Sequence, residues 1–284
     1  MKIGCIPINI GLDGESMVRI AQHAENVGVE SLWTFEHVMV PEDYVSKYPY
    51  SADGKMGAAP ETSFIDPLIA LATIAAHTKT IRLGTGVNIL PQIKPLLLAK
   101  QAASIDVLSG GRLMLGLGIG WLQEEFSAMD TPFEKRGARF DDYIAAMKKV
   151  WSGDAVEHDG EFIQWQGFKS YPLPVQQPLP VHIGGSKGKV MQRIARYGEG
   201  WYAPEAAPDR MRQSLDELRQ ACEAEGRDFD TIEVTCSGGM DADHIKALEE
   251  VGVHRVTLPL FGLAGEKDIF AGLDALGEFI QKLG

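Results

Sequence analysis

A glutamate followed at once by a histidine, Glu36-His37, closes the apolar run Ser31-Leu-Trp-Thr-Phe35. A carboxyl and an imidazole at a strand's end can hold or pass a proton, and histidine's ordinary pKa lies closest to neutrality. The other use of His37 would be to pin the loop that follows, and position alone leaves both open. His182 sits inside an apolar strand beside Gly184-Gly185 and reads as a buried, hydrogen-bonded structural residue. His23, His77, His158, His244 and His254 fall on helix surfaces, in turns or at strand starts and receive no role. Glu124-Glu125 looks like a carboxylate pair, but adjacent helical positions diverge. One should face solvent and the other a cap or pocket, a poor arrangement for an acid–base dyad.

A second chemistry is anion binding. The run from Val181 to Arg193, Val-His-Ile-Gly-Gly-Ser-Lys-Gly-Lys-Val-Met-Gln-Arg, reads as strand, glycine turn and helix. Free amides at a helix start bind anions, Gly184, Gly185 and Ser186 permit close approach, and Lys187, Lys189 and Arg193 add positive charge. A phosphate fits this pattern; an ordinary turn with Ser186 as the cap is the other reading. Two more strand-like runs stop at glycines, Leu83-Gly-Thr-Gly-Val-Asn-Ile-Leu-Pro91 and Gly116-Leu-Gly-Ile-Gly-Trp121, which suggests a ligand-binding rim. GxxxxGK[ST] is absent, and Gly116 to Gly120 lacks the spacing of a dinucleotide fingerprint, so a Rossmann nicotinamide site is disfavoured. GxSxG, HExxH and metal-spaced His and carboxylate groups are absent too. Cys5, Cys222 and Cys236 are widely spaced, as free thiols in a reducing compartment would be, and no metal site is expected.

The elements that must position these groups alternate. Strand patterns occur at 2–8, 30–35, 80–87, 112–118, 179–183, 199–203, 231–236 and 254–258. Helical patterns occur at 15–27, 64–77, 95–108, 138–151, 187–197, 207–224, 243–251 and 267–282. The strands are almost continuously apolar, as parallel strands buried on both faces must be. Eight such units suit a (β/α)8 TIM barrel, with a doubly wound sheet as runner-up. Two long segments, 38–62 and 119–178, insert after strands 2 and 4 and should lie over the active-site face. The second holds helices and a hairpin around Asp159-Gly160. No boundary divides residues 1–284, so one domain is expected.

The 284 residues are 45% hydrophobic and 23% charged, ordinary for a globular protein, with a formal net charge of −12. That balance argues against nucleic acid and acidic membrane surfaces as partners. No secretory leader pattern and no apolar span of about 20 residues is seen, so a cytoplasmic location is expected.

Seven segments in register resemble a known family: Trp33-Thr-Phe-Glu-His-Val-Met-Val-Pro41, Leu83 to Pro91, Ala99-Lys-Gln101, Asp106-Val-Leu-Ser-Gly-Gly-Arg112, Gly118-Ile-Gly-Trp-Leu-Gln-Glu-Glu-Phe126, Glu134-Lys-Arg-Gly137 and Gly198-Glu-Gly-Trp201. Together they are similar to the bacterial luciferase-like superfamily, most of all its oxidoreductases dependent on the deazaflavin coenzyme F420. The resemblance runs from residue 1 to about 204, beyond which only the βα pattern matches. It implies a barrel whose strand ends hold a deazaflavin, with FMN as the alternative, and hydride transfer to or from an unknown small organic substrate. Glu36 would contact or orient the cofactor and His37 would face substrate. A bulge with a non-prolyl cis peptide behind the ring would fall at Gly86-Val87, and Gly86, Val87 and Asn88 would bind the cofactor. Gly184, Gly185, Ser186 and Lys187 would take the phosphate, and Gly118, Gly120 and Trp121 the adjoining wall. Trp121 stands where some deazaflavin dehydrogenases carry a catalytic glutamate, which argues against a sugar-phosphate dehydrogenase. The alternatives are an FMN monooxygenase served by a flavin reductase, a non-catalytic cofactor-binding protein, and an unrelated barrel enzyme acting on a sugar phosphate. A homodimer is implied by the family.

Overall fold

Eight apolar runs become the staves of a closed parallel barrel in the computed structural model, which describes residues 1–260 and 266–283. The staves are β1 (Lys2–Ile6), β2 (Ser31–Thr34), β3 (Arg82–Thr85) continued by the short β4 (Asn88–Ile89), and β5 (Leu113–Gly118). After an antiparallel hairpin, β6 (Val156–Asp159) and β7 (Gln164–Phe168), come β8 (Val181–Gly184), β9 (Gly200–Ala203), β10 (Glu233–Ser237) and β11 (Arg255–Pro259). Pairing runs β3-β2-β1-β11-β10-β9-β8-β5, and Leu83 and Gly84 against Leu113 and Met114 close the ring. The (β/α)8 reading holds and the doubly wound sheet does not. The stretch expected as one strand over 80–87 is interrupted by a cis peptide at Gly86-Val87, after which the chain rejoins β5 at Leu117 and Gly118.

Helices pack outside the staves, several of them begun by a capping aspartate or a first-turn proline. Asp13 caps α1 (Gly14–Asn26), accepting from the Ser16 amide at 2.8 Å, and Asp66 caps α2 (Pro67–His77). The second helix therefore begins three residues later than the pattern from residue 64. Next come α3 (Pro95–Ser109), the short α4 (Gln123–Ala128), α5 (Arg136–Val150), α6 (Val190–Tyr197), α7 (Pro208–Ala224), α8 (Ala242–Val251) and α9 (Glu266–Leu283). None of the described helices is long and apolar enough to cross a membrane.

Inside the barrel, Trp33 is fully buried and lies so close to β3 that a Cβ on Gly84 would come within 2.3 Å of its ring. Only glycine fits there. Below it Arg255, also fully buried, meets Glu30 at 2.7 and 2.8 Å and Glu233 at 2.8 Å. A charge inside a fold persists only when paired in this way. Burial and then Arg255 push the neighbouring His182 down to about 3, so its ring is neutral. His182 is buried, as read from sequence, but the hydrogen bond expected of it is not made: its Nδ1 has no partner among the described residues and its Nε2 lies 3.6 Å from Glu233. His158, given no role by the sequence pattern, is buried. Its Nε2 is 2.5 Å from Asp142 and its ring stacks on Trp165.

Candidate active site

A cleft opens at the carboxyl ends of the staves, the face where barrel enzymes place their chemistry. It has two adjoining lobes, one of about 680 Å³ and one of about 510 Å³, which share Phe35, Tyr48, Tyr50, Val87, Ile89 and Trp121. Cavities of this size suit small-molecule ligands. The 38–62 insertion roofs both lobes through Tyr48 and Tyr50. Trp121 faces Tyr48 and Tyr44 edge-on at centroid distances of 5.2 and 5.7 Å.

The larger lobe contains Glu36 and His37, whose side chains bond different partners. Glu36 turns toward the third stave. It accepts from Asn88 Nδ2 at 2.6 Å and from the Ile89 amide. Loss of water around this carboxyl raises its pKa to about 7. Glu125 and Asp66 add to the rise, and the bonds from Ile89 and Asn88 oppose it. A carboxyl poised there can hold or release a proton at neutral pH. Asn88 Oδ1 is buried beside it without a hydrogen-bond partner among the described residues.

His37 turns the other way. Its Nδ1 lies 3.1 Å from Glu125 Oε2, and Glu125 Oε1 accepts from the amides of Val38 at 2.6 Å and Met39 at 3.4 Å. Glu125 is 2% exposed, so this carboxylate is committed to the histidine and the loop start. Phe64 and Trp121 pack edge-on against the imidazole at 5.6 and 6.2 Å, and Nε2 makes no hydrogen bond among the described residues. Glu125 was set aside in the sequence as half of an adjacent pair. The two glutamates do diverge: Glu124 accepts from Val45 at 2.8 Å and Ser46 at 3.2 Å, and Glu125 reaches the site. The available signal was the Glu at the start of a helix following a glycine-ended strand, but its partner lies 88 residues away.

The smaller lobe is bordered by Gly118, Gly120, Gly184, Gly185, Ser186 and Lys187. A Cβ on Gly184 would stand 2.9 Å from Val87 Cγ1, so the bare backbone lets the two walls meet. Lys47 and Arg136 join Lys187 around this lobe, and Arg136 is held by the Gly120 carbonyl at 3.1 Å and the Phe133 ring at 3.8 Å. These two cations were not picked out as anion ligands in the sequence.

Most expected residues thus converge: Glu36, His37, Gly86, Val87, Gly118, Gly120, Trp121, Gly184, Gly185, Ser186 and Lys187 all line the cleft. Asn88 does not line it and bonds Glu36 instead. Arg193 is withdrawn from the proposed phosphate cluster, since its guanidinium is buried and paired with Asp141 at 2.6 Å. Lys189 is the N-cap of α6 and also lies off the cleft. That helix starts at Val190, later than the expected 187, and Ser186 does not cap it. Among the described residues no three His, Cys, Asp or Glu side chains group as metal ligands.

Apolar and aromatic walls around a glycine-lined, cation-bordered end fit a ring cofactor carrying a phosphate. The sequence profile of a family described as luciferase-like monooxygenase matches residues 9–256. An uncharacterized protein of Mycobacterium tuberculosis is 32% identical over 237 residues, covering 83% of this chain and 82% of the relative. An F420-dependent glucose-6-phosphate dehydrogenase of Amycolatopsis mediterranei is 31% identical over 278 residues, covering 94% of this chain and 77% of the relative. The crystal structure of the monooxygenase RslO1 from Streptomyces bottropensis superposes with a TM-score of 0.80 at 21% identity, covering 99% of each chain, a likeness of fold.

Proposed function

The chain belongs to the luciferase-like monooxygenase family, and from that premise we propose that it is an oxidoreductase moving a hydride between coenzyme F420 and a small organic substrate. The observation that carries this reading is the junction of the two lobes at Val87, where a cation-bordered end meets an end holding a proton-handling pair. When bound, a deazaflavin supplies a ring carbon that gives or takes a hydride, and the protein supplies placement and electrostatics. Gly184, Gly185, Ser186 and Lys187 would hold the phosphate with Arg136 and Lys47, and Phe35, Val87 and Trp121 would exclude water from the ring. His37 would take or give the substrate's proton at Nε2, with Nδ1 held by Glu125. Glu36 would set the charge beside the ring through its own protonation. The similarity to an F420-dependent enzyme over nearly the whole chain supports F420 as the cofactor.

A second reading, an FMN-dependent monooxygenase fed by a flavin reductase, is favoured by the family description itself. A cytoplasmic homodimer goes with either reading. Side-by-side calorimetric titration of the protein with F420 and with FMN tests the choice. Binding of F420 at least tenfold tighter supports the proposal; tighter FMN turns it toward oxygen chemistry, and binding of neither overturns both. Tight binding without turnover across a substrate screen would mark a cofactor-binding protein.

A further inference from the structure

The charges of the cleft are sorted by lobe. Lys47, Arg136 and Lys187 all border the smaller lobe, and among the described residues no lysine or arginine lines the larger one. The acidic groups there are Glu36 and Glu125, and the one side chain able to become cationic, His37, faces Glu125. The rest of that wall is apolar, including Ile10, Met56, Phe64, Leu122 and Phe126. An anion entering the larger lobe would lose its water and meet carboxylates with no counter-cation, a costly transfer. A neutral molecule with one oxygen would lose little, since its apolar body gains the walls and its oxygen can accept from or donate to His37 Nε2.

We propose that the larger lobe selects a neutral, largely apolar substrate with a single carbonyl or hydroxyl at the reacting carbon, and excludes phosphorylated and carboxylated ones. This rests on the cleft being the active site of the oxidoreductase proposed above, and it differs from the sugar phosphate in the name of the Amycolatopsis relative. For a hydroxyl substrate the balance is simple. The carbinol carbon gives a hydride to the deazaflavin, the hydroxyl gives its proton to His37, and a carbonyl compound leaves; reduction runs the same transfers backwards. The three cations of the smaller lobe are then left to the cofactor's own phosphate.

The test pairs probes of one shape and different charge, cyclohexanone and cyclohexanecarboxylate, with glucose 6-phosphate as a third. Each is titrated into protein saturated with whichever cofactor binds, and into cofactor-free protein. Cyclohexanone binding at least tenfold tighter than the carboxylate, with no binding of the sugar phosphate, is expected. Equal or tighter binding of either anion overturns the proposal, as does failure of cyclohexanone to bind up to its solubility limit. Met56→Lys, which brings an ammonium into the larger lobe, should narrow the neutral-over-anion preference at least tenfold while cofactor affinity stays within threefold. An unchanged preference would locate the selection elsewhere. If neither F420 nor FMN binds, the oxidoreductase reading falls, and the cofactor-free titrations still decide whether the lobe rejects anions.

Discussion

Glu36→Gln in cofactor-free protein should stabilise the fold at alkaline pH and leave it nearly unchanged at mildly acidic pH. The Glu36 carboxyl moves from an ordinary 4.5 to about 7 on folding, chiefly through loss of water. At 1.36 kcal/mol per pH unit this corresponds to about 3 kcal/mol, and the cleft's remaining solvent trims it to about 2–3 kcal/mol. The sign follows from proton counting. Between 4.5 and about 7 the folded chain binds more protons here than the unfolded chain, so this group's contribution to stability falls as pH rises and levels off above 7. Glutamine carries no titrating proton and keeps the shape. Its amide can also donate to Asn88 Oδ1, which has no partner among the described residues of the parent. Reversible urea unfolding at intervals from pH 5 to 8.5 should show the variant's advantage growing by about 2–3 kcal/mol, roughly 3–5 °C in Tm for a chain of this size. A difference that stays flat across the window, or a variant less stable at pH 8 than at pH 5 relative to the parent, would refute the desolvation argument.

Glu125→Ala removes the acceptor for His37 Nδ1 and for two loop amides. It should cost about 2–4 kcal/mol of stability by denaturant unfolding, and Glu125→Gln should recover most of that but less of the turnover; equal recovery of both would make the residue a loop anchor only. His37→Ala should keep cofactor affinity within a fewfold and lose most turnover in a stopped-flow hydride-transfer assay, and full activity would remove His37 from the chemistry. Lys187→Glu should weaken cofactor binding about tenfold at low salt and progressively less as salt is raised, whereas Lys189→Glu, off the cleft, should change affinity little. Equal effects of the two reversals would mean that long-range charge and not contact attracts the phosphate.

The barrel was legible because its signals are local. Alternation of βα units and glycines at strand ends depend on neighbours a few residues apart, and these placed Gly118, Gly184 and Gly185 on the rim. Where a local rule competes with a distant partner, the sequence pattern fails. Arg193 has the spacing of a phosphate ligand, but Asp141 on α5 takes its guanidinium. His158 received no role from its place in the sequence, but its Nε2 lies 2.5 Å from Asp142 and its ring stacks on Trp165. Glu125 follows helical geometry away from Glu124, and the fold spends that direction on His37.

The amino-acid order by itself determined the staves, their covering helices and the strand ends at which a ligand could approach, since backbone conformation and apolar periodicity are set residue by residue. Only the tertiary structure decided which charges meet. Pairing across 88 residues for His37 and Glu125, and the gathering of Lys47, Arg136 and Lys187 around one lobe, depend on barrel closure bringing separate βα loops over the same mouth.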